Sequence, residues 1–109
     1  MPVTRQVELF ALIAIARLGD EAYGVTIHEE IERVTGRHVS IAGVYNALDR
    51  LERDRLVRTA FSAPRAERGG RARKHFTPTP AGRAQIARER ALAARLWQDI
   101  TPTAPGRRR

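Results

Sequence analysis

Residues 68–76 read RGGRARKHF, with Arg68, Arg71, Arg73 and Lys74 gathered around the pair Gly69-Gly70. Cations this close together on a short segment suit a polyanion, because each one that meets a phosphate releases a condensed counterion. The two glycines permit a tight turn that can lie close to a backbone. Upstream, Ser40, Ala42, Gly43, Tyr45, Asn46 and Arg50 fall within eleven residues. The Asn46 amide offers a donor and an acceptor side by side, the pattern that pairs with adenine in a major groove. Tyr45 can donate its hydroxyl to a phosphate oxygen while its ring covers a core edge. Ala42 and Gly43 are small enough to admit a close surface, and a glycine inside a helix costs about 1 kcal/mol relative to alanine, which something should offset.

Other chemistry fits poorly. His28, His38 and His75 are scattered, and HEEIE at residues 28–32 lacks the second histidine of a zinc-protease helix. His28 and Glu32, four apart, make a surface ion pair more readily than a metal site. No serine has a base at motif spacing, so no enzyme, metal or cofactor is expected. The chain has no cysteine, which removes disulfides, thiolate metal sites and thiol nucleophiles and fits a reducing, cytoplasmic setting.

The net charge is +8 over 109 residues. Residues 65–75 and the tail Arg107–Arg109 carry nearly all of it, whereas a merely soluble surface intersperses its signs. The apolar run LFALIAIA, Leu9 to Ala16, is too short to span a bilayer, and Glu8 directly before it is out of place in a signal peptide. No membrane partner is expected. A helix apolar around its whole circumference is instead buried on two sides, here by its own domain and by a second subunit through residues such as Phe10 and Ile13.

These residues need a scaffold of helices. The periodicity predicts a first helix from about Thr4 to Leu18, stopped at Gly19-Asp20. A second opens at Tyr23-Gly24 with the stripe Val25, Ile27, Ile31 and Val34, and ends at Gly36. Ser40 reads as the N-cap of a third, Ile41 to about Asp54, burying Ile41, Val44, Leu48 and Leu51. Opposite these lie Ala42, Gly43, Asn46, Asp49, Arg50 and Arg53. The period then drops to two: residues 56–62 and 74–79 read as strands of a hairpin whose tip holds Pro64 and Gly69-Gly70, with Phe61 and Phe76 directed inward. Thr79 caps a fourth helix that has Pro80 at its first position and runs to about Asp99. Its seam of Ile86, Ala93, Leu96, Trp97 and Ile100 predicts a homodimer, with Trp97 also placed to stack a small aromatic effector.

The fold class expected is therefore mainly α with a small β-hairpin: a winged helix-turn-helix over residues 1–79, a dimerisation helix over 80–101 and a basic, disordered tail over 102–109. AYGVTIHEEIERVTGRHVS, SIAGVYNALDRLERDRLV and GGRARKHFTPTPAGR, in that order and spacing, resemble the signatures of the PadR family of transcriptional regulators. That resemblance implies a homodimeric repressor of double-stranded DNA with an inverted-repeat operator. It implies too that Ser40, Gly43, Tyr45 and Asn46 front the recognition helix, and that a small molecule releases it. The sequence departs from the family at Arg55, where glycine is usual, and at Val44. A left-handed residue at the former position favours glycine, so either the helix ends differently or Asp54 takes the strained conformation. The competing expectation is a winged-helix module that binds RNA or a protein; exposed aromatics near the wing would favour RNA.

Overall fold

The computed structural model describes residues 3–62 and 73–100, with side chains from residue 5 onward. The wing tip, including Arg68, Gly69, Gly70 and Arg71, and the tail from residue 101 lie outside the described residues. Four helices and a two-stranded antiparallel hairpin follow one another as α1 (Val3–Leu18), α2 (Gly24–Thr35), α3 (Ile41–Arg53), β1 (Val57–Phe61), β2 (Lys74–Pro78) and α4 (Pro80–Trp97). A single 3-10 turn, Gly19–Glu21, links the first two helices. This is the winged helix-turn-helix order expected.

One core joins these elements. Ala11, Leu12, Ala14 and Ile15 of α1 lie within it, against Ile27 and Ile31 of α2, Val44, Ala47, Leu48 and Leu51 of α3, and Val57 and Phe76 of the hairpin. Four fully buried positions among residues 11–15 confirm that α1 is the central helix, which is why its apolar residues extend around so much of its circumference.

Several side chains depart from the periodic reading. Val25 and Val34 are half exposed, the former because it stands two residues from Ile27 and so on the far side of the helix, the latter because it falls in the last turn. Ile41 is 46% exposed in the first turn of α3, at the margin of the packed arc, and Ala47 takes a buried place instead. Phe61 points outward and is 70% exposed, whereas Phe76 is buried as expected. Ile86 and Phe10, expected in a dimer seam, are partly buried against their own core. The fourth helix also ends earlier than expected, at Trp97, which leaves Ile100 beyond it.

The junction after α3 resolves the Arg55 question in a third way. Asp54 stays on the right-handed side with φ −84°, and Arg55 itself takes the left-handed position with φ 61°. Its N–H donates to the Glu52 carbonyl (3.0 Å) and the Leu56 N–H to the Leu51 carbonyl (2.9 Å), the bond pattern of a Schellman terminus made without glycine. Thr79 then ties this terminus to α4. Its N–H donates to the Leu56 carbonyl (3.0 Å) and its hydroxyl to the Arg55 carbonyl (2.8 Å), while the same oxygen accepts from Gly82 N–H (3.0 Å) as the helix cap. At Gly82 a Cβ would overlap the Leu56 carbonyl oxygen, so only glycine allows this approach.

Candidate nucleic-acid interface

The turn between α2 and α3 is built from polar contacts that set the angle of the third helix. Gly36 closes α2 with φ 69°. The Glu32 carboxylate accepts the Val39 N–H at 2.9 Å and His38 Nδ1 at 2.9 Å, and His28 Nε2 lies 2.7 Å from the Val39 carbonyl. The Val39 hydrogen bond, followed by the two histidines, holds the Glu32 carboxyl below its ordinary range. His28 Nε2 and Glu32 Oε2 do come together, at 3.4 Å. Among the described residues no group of three or more histidines and carboxylates could hold a metal.

Ser40 caps α3, its Oγ accepting the Gly43 N–H at 2.9 Å. A Cβ on Gly43 would meet that same Oγ at 2.9 Å, so the glycine serves the cap as well as any close approach of a ligand. Beyond the cap, Ala42, Tyr45, Asn46, Asp49 and Arg53 are exposed on one side of the helix, away from Val44, Ala47, Leu48 and Leu51. Tyr45 is 43% exposed and lays its ring on Gly24, where an added Cβ would come 2.6 Å from the hydroxyl oxygen. The ring edge and hydroxyl thus seat the start of α2, while the residue as a whole stays partly open to solvent. Arg50 stands apart from its neighbours, because its guanidinium pairs with Glu8 of α1. It ties α3 to the scaffold and is not a free cation of the exposed arc, as the periodicity had suggested.

The wing root is organised from both sides. Glu52 accepts from Thr59 Oγ1 of β1 at 2.9 Å and from Lys74 Nζ of β2 at 3.1 Å, which lowers its pKa through Lys74 first and Thr59 second. Lys74 is therefore bound to the end of α3. Arg73 lies with its guanidinium carbon 3.9 Å over the Tyr23 ring, and the same ring also meets His75, edge-on with centroids 5.4 Å apart. The Phe76 N–H donates to the Ala22 carbonyl at 2.9 Å, so the segment before α2 adds a bridge to the hairpin. A guanidinium stacked by its face keeps its N–H edges available for an anion. The sequence singled out Arg73 and Lys74; it missed that Tyr23 and Glu52 hold them, because those contacts join residues far apart in the chain.

On α4 the side facing the core continues outward. Gly82 is buried and Ile86 half-buried, but every residue from Arg90 to Ile100 is exposed. The exposed stretch includes Ala93, Leu92, Leu96 (67%) and Trp97 (64%). A groove of about 650 Å³ opens beside the packed half, floored by Leu9, Leu12, Leu51 and Leu56 and edged by Arg5 and Glu89. No described helix is long and apolar enough to cross a membrane.

A helix-turn-helix carrying a two-stranded wing, with a small and polar outer face on its third helix, places the protein in the winged helix-turn-helix class. The family model of PadR-like transcriptional regulators matches residues 12–88, and the chain belongs to that family. It is similar to a PadR-like transcriptional regulator of Bacillus cereus, with a TM-score of 0.70, 20% identity and coverage of 85% of each chain. A structure from Streptococcus mutans superposes with a TM-score of 0.72 at 22% identity, over 100% of this chain and 96% of that one. In sequence, the chain is 36% identical over 93 residues to an uncharacterized 37.1 kDa protein in transposon TN4556 of Streptomyces fradiae. That match covers 85% of this chain and 24% of the other, so the chain spans about a quarter of the length of the curated relative it matches.

Proposed function

We propose that the protein is a homodimeric cytoplasmic repressor that binds duplex DNA at an inverted repeat and leaves it when a small aromatic effector binds. The carrying observation is the exposed arc of α3, in which Ala42, Asn46 and Arg53 lie on a helix fixed by its cap, its turn and its Arg50–Glu8 tether. In this reading Asn46 pairs with adenine, Ser40 and Tyr45 donate to phosphates, and Ala42 with Gly43 lets the helix sink into the groove. Arg68, Arg71, Arg73 and Lys74 meet the flanking backbone and fix the register.

A second copy is supported by the apolar stretch of α4 beyond Arg90, where Leu92, Leu96 and Trp97 would be costly to leave in water. We assign dimerisation to residues 80–101 and DNA binding to residues 1–79. Ile13 of α1, half-buried, lies in the same interface in this reading. Trp97 facing its symmetry mate makes a slot for a flat ring, and closing that slot would change the separation of the two recognition helices.

Selection of bound sequences from random duplex DNA tests the reading. The expected product is an inverted repeat with half-site centres about 10 base pairs apart or a multiple of it. The exposed Phe61, 70% accessible at the end of β1, favours a second reading in which the wing stacks bases of single-stranded RNA. Recovery of nothing from duplex DNA, together with Phe61-dependent binding of an RNA oligomer, would replace the first reading by the second.

A further inference from the structure

Asp49 carries a negative charge in the middle of the surface that the preceding proposal lays against a polyanion. It is exposed, and its place on α3 is between Ala42 and Asn46 on one side and Arg53 on the other: Ala42, Asn46, Asp49 and Arg53 step by four, three and four along one line of the helix. Among the described residues Asp49 takes part in no ion pair and no side-chain hydrogen bond. Arg53, one turn further on, is at the spacing that would let it neutralise the carboxylate, yet no pair forms between them. The other acidic residue of this helix, Glu52, is by contrast fully engaged by Thr59 and Lys74 at the wing root.

A lone carboxylate facing phosphates is repelled by every sequence alike unless something on the DNA can donate to it. The one feature of the major groove that rewards an acceptor without a paired donor is an exocyclic amino group, and an aspartate is matched to the N4 amino of cytosine. We infer that Asp49 is a specificity-determining residue, which accepts a hydrogen bond from a cytosine amino group in the half-site one step along the groove from the base read by Asn46. The inference rests on the duplex-DNA reading and deepens it. The carboxylate acts twice, rewarding cytosine at one position and repelling DNA that lacks it there, so it sharpens discrimination at the expense of general affinity.

The test compares wild-type protein with Asp49→Ala and Asp49→Asn in selection from random duplex DNA, followed by titration of the selected site and of a random duplex at one salt concentration. Asp49 is exposed and bears on no core residue, so unchanged thermal melting of both variants verifies the fold. The wild-type site is expected to contain an invariant cytosine that Asp49→Ala no longer requires. Discrimination at that base pair should fall by about 5- to 150-fold, while affinity for the random duplex rises. Asp49→Asn, uncharged but still an acceptor and a donor, should shift the preferred base at the same position. If Asp49→Ala strengthens binding to the selected site and to random DNA by the same factor, the carboxylate is only repelled and the inference fails. An unchanged selected sequence in both variants overturns it equally. If the wild-type protein itself selects no duplex sequence, the fault lies in the duplex-DNA reading, and the inference falls with it.

Discussion

The guanidinium of Arg73 lies 3.9 Å over the ring of Tyr23, so the root of the wing and the start of α2 share one contact. The contact makes the angle of the wing a property of the helical core, because Tyr23 is also tied to the hairpin through the His75 edge contact and a β-bridge. Replacing Tyr23 by leucine removes the ring and its attraction for the cation, worth about 0.5–1 kcal/mol at an exposed site. The affinity for operator DNA should fall about 2- to 5-fold by this term, with Tyr23→Phe unaffected, as measured by fluorescence anisotropy. Equal affinities for wild type and Tyr23→Leu would show that the stack has no part in binding.

Arg55 holds a left-handed conformation, φ 61°, that a side chain disfavours by about 1 kcal/mol or more. Arg55→Gly should therefore raise stability by about 1 kcal/mol, which is about 4–8 °C in the melting midpoint of a small domain. Thermal melting followed by circular dichroism checks it. Gly82→Ala should do the reverse, since its Cβ would overlap the Leu56 carbonyl oxygen and force the start of α4 off the end of α3.

The exposed end of α4 gives the clearest test of assembly. Leu96 and Trp97 are 67% and 64% accessible, and both lie beyond the part of the helix that Ile86 anchors to the core. Trp97→Ala should shift the protein toward monomer, because truncating an aromatic anchor in a packed interface costs about 2 kcal/mol or more. Sedimentation equilibrium reads the shift directly, and DNA affinity should decline with it. A variant that associates as tightly as wild type would place the interface elsewhere.

Acid should loosen the contact between α1 and α2. Glu30 accepts from Arg33 and from Arg17 of α1, and these hydrogen bonds, Arg33 first, hold its pKa down to about 2. A carboxylate depressed in the folded state contributes stability that is complete above its ordinary pKa and is lost as the pH falls through the folded value. The difference in melting midpoint between wild type and Glu30→Gln should be constant above about pH 5 and shrink toward zero as the pH approaches 2. Both arginines face solvent, so 1 M salt should narrow the difference at neutral pH as well.

The amino-acid sequence by itself determined the helices, their caps and their order. Ser40, Gly36, Thr79 and Pro80 act through atoms within a few residues of themselves, so their effect is local and legible in a linear reading. The hairpin and the buried side of α3 at Val44, Leu48 and Leu51 follow likewise from a change of period. Which residue of an amphipathic pattern is actually covered was decided by the tertiary structure, because burial requires a neighbour and periodicity supplies only a direction. Ile41, Val25 and Phe61 have the right chemistry for a core and stay 46%, 53% and 70% exposed, while Ile86 and Phe10 are partly covered by their own core. Charge shows the same division. Arg50 and Lys74 were equal members of a cationic surface in the sequence, and only the folded chain brings Glu8 and Glu52, distant by 42 and 22 residues, to hold them in place. The reach of a carboxylate across the fold is set by how the helices cross, and no spacing along the chain encodes it.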